Sequence, residues 1–513
     1  MGSNHPTEPA VYRGSNTTEA KEIYLIISKE VDLNLRQLVI RFQVTAYMTI
    51  ILNKNSLMIV FAVFLIFSMT EISSIFHQLQ PFPFAVAGTE EEEDDTCVDY
   101  EPTENTITIT CDASFQDVAD SINDSLVLEQ LTSGGDEYLL KANLEVDDDT
   151  AFSMGPNDIK WLKIAGANGI IVDGKIEIDG VRITSWDTVA NSPVPQTTTG
   201  SFPRAYINLR GSEGGFVHNS EIAYLGYQDF GKRGFDLFGG DEPAHDFEIT
   251  DSRFHDMWFA FYSRGAYNIT IDGNEYYNNI KYALDPHSGT HDMNITNNWL
   301  HHNPIGVICS DRCYNILIER NVVHHNSDSG IFFSRNMHDS IARNNHVYNT
   351  SSGILVSESP NNQIYDNIVE AATSQGILLF NPDLSDDGFT ENNLVYNNAI
   401  SNCDDGISAI RSQDNILEGN NFSNISSSEY SLSGNSTIII RGQDFDDTSV
   451  AQEGSAPNNV VQILDSGSIH VVELNDGDND EDDDDSKEGN SHNTDNSPYR
   501  KRLGDDDSII VNS

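Results

Sequence analysis

Gly330-Ile331-Phe332-Phe333 is followed 23 residues later by Gly353-Ile354-Leu355-Val356, and 23 residues after that by Gly376-Ile377-Leu378-Leu379. Nearly the same beat runs back to Gly306-Val307-Ile308-Cys309 and, past a longer interval, on to Gly406-Ile407-Ser408-Ala409. The residues one and three places after each glycine are all apolar: Val307 and Cys309, Ile331 and Phe333, Ile354 and Val356, Ile377 and Leu379, Ile407 and Ala409. Residues two apart share one face of a strand, and short strands recurring at a period in the low twenties mark a solenoid. A leucine-rich horseshoe is excluded because Leu-x-x-Leu-x-Leu is missing. Paired-helix solenoids need longer periods and apolar spacings of 3 and 4. The pattern predicts an all-β chain, a right-handed parallel β-helix of about 23 residues per coil over residues 155–445, with the apolar pairs stacked inward. Asn303, Asn326 and Asn349, again 23 residues apart, are expected at turns, where asparagine tolerates left-handed backbone and its amides stack into ladders.

One coil before Gly306 the repeat changes character, reading Tyr282-Ala283-Leu284-Asp285-Pro286-His287. With Ala283 at the glycine position, Leu284 and Pro286 point inward while Asp285 and His287 point out. The same register sets Arg264 beside His287 and Tyr262 beside Asp285. One coil later His287 meets Ser310, next to Asp311 and Arg312, and Arg335 lies a further coil on. Coils stack about 4.8 Å apart, so these residues form an outward column. A carboxylate and an imidazole on one face suit proton transfer, and arginines on either side suit an anionic ligand.

Composition narrows the ligand further. Acidic residues number 80 against 28 lysines and arginines, a net charge of −52 over 513 residues, which argues against nucleic acid as a partner. Much of the charge is local, in Glu90–Asp95 and around Asp476–Asp485, runs expected to be solvating segments, with Ca²⁺ binding as their alternative. Because the whole molecule repels polyanions, a polyanionic substrate requires a local cationic patch. The arginine column is that patch.

The chain is expected to divide into four parts. Residues 1–87 form an N-terminal extension holding the apolar run Leu57–Met69 and an Ala85-Val86-Ala87 sequence like a signal-peptidase site. The run has 13 residues, short of the about 20 that span a bilayer. It implies export to the cell envelope or beyond, with membrane attachment only if the segment stays uncleaved. Residues 88–154 read as an acidic leader and helical cap, the helix starting from Asp112 or Ser114 and covering the first open coil. The β-helix follows, and residues 446–513 read as an acidic, disordered tail containing Arg500-Lys501-Arg502. Cys97 and Cys111 suit a disulfide in an oxidising compartment. Cys309 falls on an inward position with Cys313 as an available partner, and Cys403 is left over. Without a Cys-x-x-Cys pair a structural zinc site is not expected. His301, His302, His324 and His325 recur with the repeat and read as stacked turn residues. No metal or other cofactor is required, and a monomer is expected.

Around Asp285-Pro286-His287 the chain resembles the mannuronan C5-epimerases of the periplasmic alginate epimerase type. Ile183-Thr184-Ser185-Trp186-Asp187, Ala223-Tyr224-Leu225-Gly226-Tyr227, Phe259-Ala260-Phe261-Tyr262-Ser263 and Asn278-Asn279-Ile280-Lys281 occur in that family's order, so the likeness spans about residues 160–420. The resemblance implies that His287 is the catalytic base, Asp285 its partner and Tyr282 a second proton-transfer group. It also implies an arginine that neutralises the substrate carboxylate, about one coil after the motif. Arg312 is expected in that role. Arg335, in an intact Ser334-Arg335 pair, is expected to contact substrate, as are Arg264, Tyr262 and His291, the last matching a second family histidine. The partner is then an anionic polysaccharide, a polyuronate. The implied reaction converts β-D-mannuronate to α-L-guluronate within the polymer. The C5 hydrogen of a uronate is weakly acidic because its loss places charge beside a carboxylate. An arginine on that carboxylate and a base of suitable pKa make the step accessible. A lyase would take the same proton and expel the O4 substituent. A glycosidase would need two placed carboxylic acids, and a non-catalytic glycan-binding solenoid would keep the motif without the reaction.

Overall fold

The computed structural model describes residues 96–195, 203–211, 213–240, 242–382, 389–442, 449–452, 459–465, 468–474, 500–502 and 509–510. The expected signal or anchor segment and both acidic runs lie outside the described residues. Among the described residues no helix is long and apolar enough to cross a membrane.

The chain coils through three strands per turn. Phe259–Arg264, Tyr267–Asp272 and Glu275–Tyr277 make one coil, and Tyr282–His287, His291–Thr296 and Trp299–His301 make the next. Equivalent strands stack in parallel, and with a few antiparallel strands at their ends and edges they make, among the described residues, three sheets of 16, 16 and 14 strands. On the first sheet the register runs Arg264, His287, Ser310, Ser334, Ser357, Phe380, as the glycine alignment required. The apolar pairs after each glycine are buried: Val307, Ile331, Ile354 and Ile377 are all 0% exposed. The glycines themselves serve close approach. A Cβ on Gly330 would sit 2.3 Å from Val347 Cγ1 and 2.7 Å from the Gly353 carbonyl oxygen.

Asparagines line the corners in two ways. Asn274, Asn298, Asn321, Asn345, Asn367, Asn398 and Asn420 form a buried ladder, each Oδ1 accepting from the backbone N–H of the rung before it. Asn279, Asn303 and Asn326 make a second. Asn349 lies outside it, as a left-handed turn residue with φ 54°.

The parallel ladder is longer than residues 155–445 at both ends. Thr106–Ile109 pairs in parallel with Asn143–Val146, inside the expected leader, and Thr437–Arg441 pairs in parallel with Asn459–Asp465, inside the expected tail. These coils lack the glycine that sets the beat, although Ile107, Ile109, Leu144 and Val146 are buried just as the later pairs are. A seven-residue helix, Phe115–Ser121, starts at Ser114, which forms a capping box with Asp117 and buries Phe115 and Val118. Cys97 and Cys111 are disulfide-bonded, whereas Cys309, Cys313 and Cys403 are buried free thiols.

Candidate active site

The outer face of the first sheet carries the site. Its strand Phe259–Arg264 is bulged against Gly234–Leu237: Gly234 pairs with Phe259, but Asp236 pairs with Tyr262. Bulges re-aim side chains. Here Trp258, Phe259 and Tyr262, with Phe238, Ile280 and Tyr282 against them, form an aromatic cluster separate from the main core. Asp236, Tyr262 and Asp285 follow one another in register on successive coils, a phenol between two acids.

Both acids are buried. Asp285 is 3% exposed, its Oδ1 without a hydrogen-bond partner, and burial pushes its carboxyl well above the usual range despite Arg233 and Arg335 nearby. Asp236 is fully buried and accepts the Arg233 backbone N–H on Oδ2 at 2.7 Å. Burial pushes it up to about 7. A carboxyl kept neutral in this way can donate a proton rather than only accept one.

His287 sits two residues beyond Asp285, half-buried, at the end of its strand. Its Nδ1 lies 2.6 Å from Ser288 Oγ, whose hydroxyl donates to Asp311 Oδ2 at 2.9 Å. Because Ser288 spends its proton on the carboxylate, Nδ1 carries the imidazole hydrogen and donates to Oγ. Nε2 is then the basic position, its lone pair the acceptor for any donor that faces it. Arg335 Nη2 approaches that nitrogen at 3.0 Å and donates to Ser310 Oγ at 3.1 Å. Burial, then Arg335, lowers the imidazole to about 4. The Tyr262 ring packs 5.7 Å from it.

The order expected of the two arginines is reversed. Arg312 turns to its own neighbour, Nε 3.0 Å from Asp311 Oδ1, with a largely exposed side chain. Arg335, two coils on, directly follows Ser334 and reaches back to the imidazole past the one intervening rung, the small Ser310. Arg264 is the strand neighbour of His287, its guanidinium 5.6 Å over the Phe238 ring. Tyr282 is half-buried against Phe259, and burial raises its phenol, keeping it protonated. His291 is not brought into the site. It lies on the second sheet, stacked between Tyr267 and Tyr314 with ring centroids at 5.3 and 4.6 Å and Nδ1 on Asp292. The four repeat histidines stack as expected, His301 on His324 and His302 on His325. Among the described residues no group of three or more His, Cys, Asp or Glu is placed to hold a metal ion.

The sequence pattern set Asp311 near His287 without a role for it, and did not point to Ser288, Arg233 or Asp236. Asp311 follows Ser310, the register partner of His287, so its nearness was available from the alignment. Arg233 and Asp236 precede the bulge, where coil-to-coil spacing departs from 23 residues and the arithmetic fails.

This arrangement supplies a neutral base beside an arginine, over a buried protonated acid. The family profile described as "Periplasmic copper-binding protein (NosD)" matches residues 239–377. The mannuronan C5-epimerase of Pseudomonas fluorescens is 28% identical over 168 residues, 31% of this chain and 30% of that protein. That of Azotobacter vinelandii is 28% identical over 171 residues, 31% of this chain and 32% of that protein. Over about a third of its length the chain is similar to mannuronan C5-epimerases. The match spans about a third of the length of these curated relatives. A crystal structure of the periplasmic alginate epimerase AlgG superposes with a TM-score of 0.55 at 22% identity, covering 70% of this chain and 85% of that one, and shares the fold.

Proposed function

We propose that the protein is a polyuronate C5-epimerase, exported to act on an anionic polysaccharide and converting β-D-mannuronate residues to α-L-guluronate. One observation supports the reading: the Ser288–Asp311 relay leaves Nε2 of His287 as the basic nitrogen, and in the absence of substrate that nitrogen accepts from Arg335 Nη2 at 3.0 Å. When a substrate carboxylate enters, its charge draws Arg335 off the imidazole. Arg335 then neutralises the carboxylate, and Nε2 takes the C5 proton. The C5–H electron pair moves into the carboxylate, which becomes an enediolate held by the guanidinium. The imidazolium keeps its proton and is stabilised through the Ser288 hydroxyl by the Asp311 carboxylate. Tyr282, still protonated, or a water molecule returns a proton to the opposite face of C5. Deprotonated Tyr282 and protonated His287 then reset by exchange with solvent.

Incubating polymannuronate with the protein in ²H₂O tests this. Deuterium at C5 of newly formed guluronate, with chain length unchanged, is the expected result. Unsaturated ends absorbing in the ultraviolet would instead identify a lyase. Binding without exchange would leave a glycan-holding solenoid.

A further inference from the structure

Beyond the reacting position, a track of aromatic rings runs from the imidazole toward the N-terminal coils. Tyr262 lies 5.7 Å from His287, Phe238 lies 6.2 Å from Tyr262, and Phe230 stacks on Phe238 at 5.7 Å. Guanidinium groups interleave with the rings. Arg233 sits 4.1 Å over Tyr262 and 4.3 Å over Phe230, and Arg264 sits 5.6 Å over Phe238. Among the described residues neither Arg233 nor Arg264 is ion-paired with a carboxylate, whereas Arg210 is held by Asp173 and Arg253 by Glu221. In a chain of net charge −52 two such cations on one face are an uncommon arrangement.

The outer end of the track is built, not trailing. The loop from Gly226 to Gly234 is pinched shut where these glycines meet: a Cβ on Gly226 would lie 1.8 Å from the Arg233 carbonyl oxygen. Tyr227 N–H donates to the Lys232 carbonyl at 2.9 Å across the loop, and Gly231 supplies a left-handed turn at φ 71°. Phe230 is carried at its tip, 61% exposed, yet stacked on Phe238. An exposed phenylalanine held in a fixed stack beside unneutralised arginines has the chemistry of a sugar-acid platform. Its apolar face meets the C–H face of a pyranose ring, and the guanidinium meets the carboxylate.

We infer that Phe230, Phe238, Arg233 and Arg264 form a subsite for a second hexuronate ring of the same polymer chain, on the N-terminal side of the reacting residue. The inference rests on the polyuronate reading above and fixes where the chain extends. Phe238 is two coils from His287, about 10 Å at the ladder spacing, within reach of a neighbouring ring or two in an extended chain. The subsite selects uronates over neutral sugars and makes affinity depend on chain length.

Calorimetric titration of the full chain with mannuronate trimer and hexamer tests this, with a neutral β-1,4-linked mannose hexamer as control. Wild-type protein binds the hexamer more tightly than the trimer. Phe230→Ala lowers the hexamer-to-trimer affinity ratio about three- to tenfold, the scale of one aromatic stack, and Phe230→Trp restores it. Arg264→Ala narrows the preference for the mannuronate hexamer over the neutral one. An unchanged ratio in Phe230→Ala, or equal binding of the neutral hexamer by wild type, overturns the subsite. C5 exchange measured in parallel keeps the two readings apart. A length effect that depends on Phe230 without any exchange supports the subsite and overturns only the reaction.

Discussion

His287 and His291 stand four residues apart, each with Nδ1 hydrogen-bonded to its sequence neighbour, yet the two rings are placed for different work. His291 belongs to a ladder, His245, Tyr267, His291, Tyr314, His338, whose rings lie nearly parallel, 7° and 13° from its two neighbours. Both its faces are covered, and its Nδ1 meets a carboxylate directly at 2.8 Å. His287 has one tilted neighbour, Tyr262, at 39°, and its Nδ1 reaches a carboxylate only through a serine. Arginine, not tyrosine, faces its other nitrogen. Repetition on the second sheet makes histidine a stacking unit. A break in repetition on the first leaves it unstacked on one face, with its Nε2 toward Arg335.

The largest expected effect tests that contrast directly. His287→Ala should lower C5 exchange about 10³-fold, within the range for removing a general base. His338→Ala, on the same ladder as His291, should leave exchange near wild type. Comparable losses from both variants, with folding intact by circular dichroism, would erase the distinction.

Next come the arginines. Arg335→Ala should lower kcat about 10²-fold or more, the scale of losing one charge-stabilising donor, whereas Arg312→Ala removes an exposed pair to Asp311 and should stay within about tenfold of wild type. If Arg312→Ala proves the more damaging, the assignment of the carboxylate neutraliser passes to it.

The pH dependence should be smaller but more specific. A base lowered from 6.5 to about 4 stays neutral across ordinary conditions, so the acid limb of kcat/KM should lie near pH 4, not 6.5. Removing the guanidinium of Arg335 takes away a cause of that lowering. The limb should therefore move up in the residual activity of Arg335→Ala. A limb fixed at the ordinary histidine value in both proteins would mean that His287 does not feel Arg335.

How much of this was legible depended on whether the beat held. From Val307 to Ala409 each coil repeats the last, so one alignment placed the core and set Arg264, Tyr262 and Ser310 beside the motif. It could not choose between Arg312 and Arg335, because register fixes backbones and leaves long side chains free to reach one coil or two. Nor could it show that Asp285, although pointing out of the barrel, is buried. The cover comes from Tyr262, Phe259 and Tyr282, whose packing depends on the bulge opposite Gly234. The first coils, near Thr106–Ile109, were missed because burial there is carried by plain alternation without glycine.

The smallest effect concerns Asp236, a buried acid that no motif or register position singles out. Asp236 has a folded-state pKa of about 7 against an ordinary 3.8. Between those values the folded protein holds a proton that the unfolded chain has released, so its contribution to stability declines as pH rises through that window and is level above about 7. His287 runs the other way. Its folded pKa of about 4 lies below 6.5, so the unfolded chain binds the extra proton and stability rises with pH between those values. Wild-type protein shows the sum of the two. Asp236→Asn removes one and keeps an acceptor for the Arg233 N–H. The variant should therefore melt higher than wild type at pH 8 by about 1–3 °C, with the advantage shrinking toward pH 4. An advantage of equal size at both pH values would mean that Asp236 does not change its protonation on folding. The acid beneath Tyr262 would then be charged, and the tyrosine would lie between two carboxylates of which only Asp285 holds a proton.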